Sequence, residues 1–176
     1  MSKKIFNITK KICLENDYSN KMACTVFKGG KIIGKGINNN NRTSMCGCNH
    51  LPSIHAELDS LMNACKSIIR NNNNNITNNI NFYNLKKRNK KILKGHSLMV
   101  IRLLKDGTLA NSKPCIICFK FMKLMGLKKI YYIKNNKLVF EKLENFYTKT
   151  ISKGLISIVN NIPKNHFIKI QYENSI

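Results

Sequence analysis

The sequence lacks any apolar run long enough to cross a bilayer. Its longest, Ser97-Leu-Met-Val-Ile-Arg-Leu-Leu104, is short and broken by Arg102. A spanning helix needs about 20 apolar residues, so no membrane partner is expected. The N-terminal stretch from Met1 to Lys11 has no continuous apolar segment either, and no secretory signal is expected. An intracellular, reducing compartment follows: the cytoplasm, with the nucleus as the alternative. The seven cysteines should then stay reduced, as candidates for metal binding or catalysis ahead of disulfides.

Acidic residues are also scarce. Eight stand against 31 lysines and arginines, for a formal charge of +23. Arginine itself is rare, with 4 residues against 27 lysines, and asparagine also reaches 27. Lysine, asparagine and isoleucine share A/T-rich codons, so an AT-rich genome would inflate all three together. Nucleic-acid readers favour the planar fork of arginine. The charge therefore has two readings: a biased, solvated surface, or an anionic substrate or partner. With so few acids, a carboxylate in a special setting carries more information than usual.

A chain of 176 residues makes one domain, or one domain with a tail. At this size roughly 70% of the unfolded surface is buried, so no staple is needed. Apolar spacing of three and four predicts an opening helix over Lys4 to Leu14, with Ile5, Ile8, Ile12 and Cys13 on one face. Met22 to Phe27 and Lys31 to Gly36 read as a hairpin around Gly29-Gly30. A second helix is expected from His55 to Ile69, with Ser53 as its N-cap. Ser97 to Leu104 is a buried strand, and Asp106-Gly107 a turn. Cys115 to Met125 is a third helix, with Cys118, Phe121, Met122 and Met125 on its apolar face and Gly126 ending it. Leu127 to Ile133 and Lys137 to Phe140 form a hairpin around Asn135-Asn136. Ile151 to Val159 reads as helix or strand. The order α-β-β-α-insert-β-α-β-β predicts a sheet with helices packed on it.

Between the second helix and the Ser97 strand, 71–84 is a low-complexity tract holding five consecutive asparagines. It cannot bury apolar area to offset chain entropy and reads as a disordered insert. The basic run 86–91 closes it, as a solvated loop, or else a phosphate-binding or nuclear-address segment. One domain is expected over 1–145, with the insert spanning 70–95, and 146–176 as an extension packed on the same domain.

Two short motifs carry chemistry: His55-Ala56-Glu57 and Pro114-Cys115-Ile116-Ile117-Cys118. Each opens a predicted helix after a loop. One imidazole and two thiolates form a donor set that suits zinc. Three protein ligands leave a fourth position open, the mark of a catalytic rather than a structural site. Cysteines at i and i+3 can reach one ion, and a helix start favours a thiolate. Residues 55 and 57 lie roughly 200° apart around a helix. That spacing makes sense only at a helix end, where Glu57 can sit beside the ion without being its ligand. Zinc brings the pKa of water toward ~7, and Glu57 would move the protons.

The motif pair resembles that of the zinc-dependent cytidine/deoxycytidylate deaminase superfamily. The resemblance runs from about Lys4 to Phe140. It implies a three-layer α-β-α fold of the cytidine-deaminase type: a central mixed sheet of about five strands with helices on both faces. It also implies one Zn2+ held by His55, Cys115 and Cys118, with Glu57 as the catalytic proton shuttle. Gly34-Lys35-Gly36-Ile37-Asn38 matches a Gly-x-Gly-x-Asn stretch of that superfamily, which assigns Asn38 to substrate binding. Oligomers are common there, so a homo-oligomer is expected by resemblance.

The chain departs from particular subfamilies. The 60 residues from His55 to Cys115 exceed the usual separation by about the insert. Ser112 and Lys113 precede Pro114 where tRNA adenosine deaminases commonly show a glutamate. No Asp-Pro-Thr-Ala segment precedes His55, the first ligand is His rather than the Cys of free cytidine deaminases, and the loop does not show the usual deoxycytidylate pattern either. The expected activity is hydrolytic deamination of a nucleobase in a nucleoside, nucleotide or free base, with cytosine preferred and adenine chemically allowed. The alternatives are a deaminase editing polynucleotide, tRNA or single-stranded, and a catalytically inactive zinc-stabilised binding module. Cys46, Cys48 and His50 could form a second metal site or line the substrate mouth, and reduced loop cysteines are the plainer reading. Cys13, Cys24 and Cys65 are assigned to the core, Asp59 to the surface, and His96 and His166 to surface or loops.

Overall fold

A computed structural model describes residues 2–39, 53–72 and 91–152. Cys46, Cys48, His50, His166, most of the insert, the basic run before Lys91 and most of the C-terminal extension lie outside the described residues.

The opening segment forms α1 (Ser2–Leu14). The chain then makes the hairpin β1 (Lys21–Lys28) and β2 (Lys31–Ile37), turning on Gly29 and Gly30. Next comes α2 (Ala56–Asn72), then β3 (Ser97–Leu103) and a two-residue β4 (Leu109–Ala110). The third described helix is α3 (Ile116–Met125), followed by β5 (Lys129–Lys134) and β6 (Lys137–Lys142). The β5–β6 turn has positive φ at both Asn135 and Asn136, as a type I′ hairpin requires.

The sheet is mixed, in the order β2-β1-β3-β5-β6, with β4 paired to β3 off this path. Among the described strands only β3 and β5 run parallel; the other described pairs are antiparallel. Alternation along the strands feeds two cores. Cys24, Val26, Leu98 and Val100 face one side, with α2 and α3; Ala23, Phe27, Met99, Ile101 and Leu103 face the other, with Ile5 and Cys13 of α1. Helices therefore cover both faces, and the architecture is the expected three-layer α-β-α sandwich. The expected count of about five strands rises to six because β4 is too short to register as a pattern. No described helix is long and apolar enough to cross a membrane.

Two local features position the site. Gly34 and Gly36 let α2 lie directly on β2. A Cβ on Gly34 would stand 2.7 Å from Ala64 N, and one on Gly36 would stand 2.5 Å from Ala56 O. The second feature is a split in the parallel pair. β3 and β5 are paired only from Ser97 with Lys129 to Met99 with Tyr131. Beyond that point Ser112 wedges between them: its Oγ donates to Val100 O and accepts from Ile133 N–H, both at 2.8 Å. Three residues later the chain enters α3, so Cys115 emerges near this split. Ligand sites favour such openings at strand ends.

Several expectations shift. Of the proposed insert, Arg70–Asn72 complete α2, and Leu93 is fully buried. His96 lies in a loop, as expected, but is only 9% exposed, its carbonyl bonded by Lys128 N–H at 2.8 Å. Asp59 is half-buried, and its carboxylate accepts from Ile37 N–H at 3.4 Å, tying α2 to β2. On α3, Phe119 is buried whereas Phe121 is half-buried. Phe146, arriving from 24 residues downstream of Met122, covers the Phe119 flank with ring centroids 5.2 Å apart.

Candidate metal centre

Both ligand-bearing motifs sit where a helix begins. Ile54 exchanges two backbone hydrogen bonds of 2.9 Å with Asn39, which holds it extended. The helix cannot start before the next residue, and Asp59 N–H closes its first turn on His55 O at 3.0 Å. His55, not Ser53, is therefore the N-cap. Cys115 plays the same part for α3. Its backbone is extended (φ −76, ψ 168), its side chain makes no capping bond, and Phe119 N–H closes on its carbonyl at 3.0 Å. Its sulfur is left for other work.

That work is visible in the geometry. His55 Nδ1 lies 3.3 Å from Cys118 Sγ and 3.5 Å from Cys115 Sγ. The three donor atoms all fall within 4.8 Å of one another. Zinc bonds of about 2.0 Å to nitrogen and 2.3 Å to sulfur at a tetrahedral angle put N and S roughly 3.6 Å apart. The donor set and its spacing both fit a zinc ion, with Nδ1 as the imidazole ligand.

Glu57 adds a second observation. It is 1% exposed, and its Oε2 has no hydrogen-bond partner among the described residues. A buried, unpartnered carboxylate oxygen is costly unless something fills its place. Burial is the main reason its carboxyl is pushed above the usual range, with the nearby His55 charge pulling the other way. The ligands show the matching pattern. The hydrogen bond from Cys118, then that from His55, takes Cys115 down to about 4. The Cys115 partner raises His55 to about 9, and burial pushes the Cys118 thiol well up. A metal binds the thiolate and neutral imidazole forms of such donors, so loading the site releases protons.

Cys13, Cys24 and Cys65 are fully buried core residues. Cys24 lies behind the site rather than in it: Ser60 Oγ stands 2.9 Å from both Cys24 Sγ and Glu57 O, and burial keeps that thiol protonated.

Residues 2–134 match the family described as the cytidine and deoxycytidylate deaminase zinc-binding region. The chain belongs to that family. Its His-Cys-Cys cluster is accordingly suited to one Zn2+ ion. Among solved structures, a dCMP deaminase from the cyanophage S-TIM5 in complex with dCMP and dUMP is similar at 17% identity, over 73% of this chain and 77% of that one, with a TM-score of 0.45. Its apo form is similar at 20% identity, over 74% and 82%, with a TM-score of 0.41. No curated protein matches.

In this deaminase-family chain Asn38 is tied to the site through its neighbour. Asn39 bridges Ile54, the residue before His55. Asn38 Oδ1 accepts two hydrogen bonds, from Met22 N–H at 2.9 Å and from Asn16 Nδ2 at 2.8 Å. Because a backbone N–H can only donate, the amide orientation is settled, and the Asn38 amide nitrogen faces away from both. Asn16 is 2% exposed, and its own oxygen accepts from Tyr18 N–H at 3.1 Å. Sequence reading missed Asn16. One asparagine among 27 carries no signal until the fold pairs it.

Proposed function

We propose that this protein is a zinc-dependent hydrolytic deaminase that acts on cytosine in a nucleoside or nucleotide and releases ammonia. The observation that carries the reading is the buried, unpartnered Oε2 of Glu57 beside a cluster that, among the described residues, offers three ligands rather than four. A structural zinc site is closed by four protein ligands.

His55, Cys115 and Cys118 would hold the ion. When bound, zinc makes water nucleophilic at neutral pH. Glu57 does the proton work. Its Oε2 takes a proton from the water that adds to the amine-bearing carbon and hands it to the ring nitrogen. It then carries the remaining hydroxyl proton to the amine, which leaves as ammonia while a carbonyl forms. Burial suits this role, since a carboxyl raised toward neutrality can give as well as take a proton. Asn38 offers its amide N–H donors to a substrate oxygen.

The test is zinc-loaded protein against cytosine, cytidine, CMP, dCMP, adenosine, guanine and short RNA, with ammonia release measured. Turnover of a cytosine nucleoside or nucleotide is expected. Ammonia from none of them, with zinc bound, would leave only a zinc-stabilised binding module. Ammonia from RNA alone would shift the substrate to polynucleotide.

Asn16 is proposed as a positioning residue that orients Asn38. Asn16→Ala is expected to raise KM roughly tenfold while kcat changes much less, about the worth of one well-placed hydrogen bond. Thermal melting should report a loss of about 1–2 kcal/mol. A melting shift without any change in KM would reduce Asn16 to a fold-stabilising role.

A further inference from the structure

We infer that a lysine-rimmed cleft at the far end of α3 binds the phosphate backbone of a polynucleotide. This cleft has a volume of about 520 Å³ and lies among the 91–95 turn, the C-terminal end of α3 and the outer ends of β5 and β6. Four of its lining residues, Lys91, Lys94, Lys123 and Lys128, are exposed lysines; Leu127 and Leu143 form a buried floor. The ten-residue α3 separates it from Cys115 by about 15 Å, so it is not part of the metal centre.

Lys123 Nζ stands 5.3 Å over the Phe119 ring, and the other rim ammoniums face an acid-poor surface among the described residues. Among the described lining residues Glu144 is the one acid, and it pairs at 3.4 Å with Lys142, which is not among them. Among the described residues no acid pairs with any of the four rim lysines. The frame beneath them is stitched by backbone bonds: Leu93 N–H to Met125 O at 2.9 Å, Lys128 N–H to His96 O at 2.8 Å and Leu143 N–H to Lys128 O at 3.0 Å. Gly126, at φ 79, leaves room for the Lys91 stem; a Cβ there would meet Lys91 Cβ at 2.5 Å. At least one ammonium is thus carried on a packed stem rather than a free one.

The lining also says what is not read. Among the described residues it contains no aromatic, amide or arginine side chain, so none of these can stack on a base or fork onto its edge. Recognition by point charges alone fits repeated phosphates, where contacts position a strand without specifying sequence. The net charge of +23 would speed the encounter.

The test uses the full zinc-loaded chain and a labelled single-stranded oligothymidylate, with affinity measured across a salt series. Changing Lys91, Lys94, Lys123 and Lys128 together to Gln should weaken binding by at least roughly tenfold. It should also flatten the log–log salt slope by about two to three, near 0.7 per lost phosphate contact. A control set, Lys3, Lys4, Lys35 and Lys105 to Gln, removes the same charge from exposed positions elsewhere and should change neither quantity by as much. Because Lys91 packs on Gly126, the pair Lys94→Gln and Lys128→Gln is measured alongside, with about half the slope change expected. Equal losses in the cleft and control sets would mean diffuse attraction and overturn the site. Inorganic triphosphate binding as tightly as the oligomer would make it a small-anion site and overturn the polynucleotide. No loss in either cleft variant would overturn both.

Discussion

Glu57→Gln is expected to keep one zinc per chain while turnover falls by about 10²–10⁴ or more, the range for removing a general acid–base group. The amide has the same shape and occupies the same buried position. It cannot take a proton from water or return one to the amine. Glu57 lies beside the His55–Cys115–Cys118 cluster but outside its donor set, so metal content should not follow activity. Stability should hold or rise slightly, because a neutral amide is cheaper to bury than a carboxylate with an unpartnered oxygen. A purely local role predicts otherwise. If Glu57 served only as a first-turn acid interacting with the helix dipole, the substitution would cost a few tenths of a kcal/mol and leave turnover intact. Zinc content, melting midpoint and ammonia release on the same sample separate the two.

Gly36→Ala should damage both stability and turnover, by a different route. The added Cβ would stand 2.5 Å from Ala56 O and 2.9 Å from Ser60 Cα, with Ser60 N closer still. These are backbone atoms of α2, not the flexible tip of a side chain. The helix must therefore retreat from β2 as a body, and its first turn carries Glu57 with His55 at its cap. Overpacking of this kind costs about 1–3 kcal/mol and sometimes more. A retreat near 1 Å at the reacting groups can cost about 10² in rate. The expected result is a lowered melting midpoint together with turnover reduced by about two orders of magnitude in whatever remains folded. Gly29→Ala is the contrast: φ there is 57 but no atom lies within 4 Å of the new Cβ. It should cost about 1–2 kcal/mol of backbone strain and leave turnover alone. Normal activity in Gly36→Ala would remove the close approach of α2 as a requirement.

Much of the architecture was readable along the chain because it is local. Ile5, Ile12 and Cys13 mark one face of α1, joined there by Phe6 rather than the expected Ile8. Two paired glycines and two paired asparagines mark the hairpin turns. Pro114 and the Cys-x-x-Cys spacing mark the entrance to α3. What stayed hidden depends on partners distant in sequence. Phe119 is buried because Phe146 covers it, the His96 carbonyl is tied to the Lys128 N–H, and Asn16 matters because Asn38 and Met22 lie against it. Nor does local pattern reveal that β3 pairs with β1 on one edge and β5 on the other.

The residue types in the two motifs, set by the sequence alone, determined what chemistry is available: one imidazole, two sulfurs and one carboxyl, each at a helix start. Whether they meet was decided by the sheet. His55 and Cys118 are 63 positions apart. They come within bonding reach of one ion because β1 and β3 lie side by side, α2 rests on two glycines, and Ser112 parts β3 from β5 just ahead of Cys115. Those are long-range packing and hydrogen-bond constraints, and no window of neighbouring residues contains them.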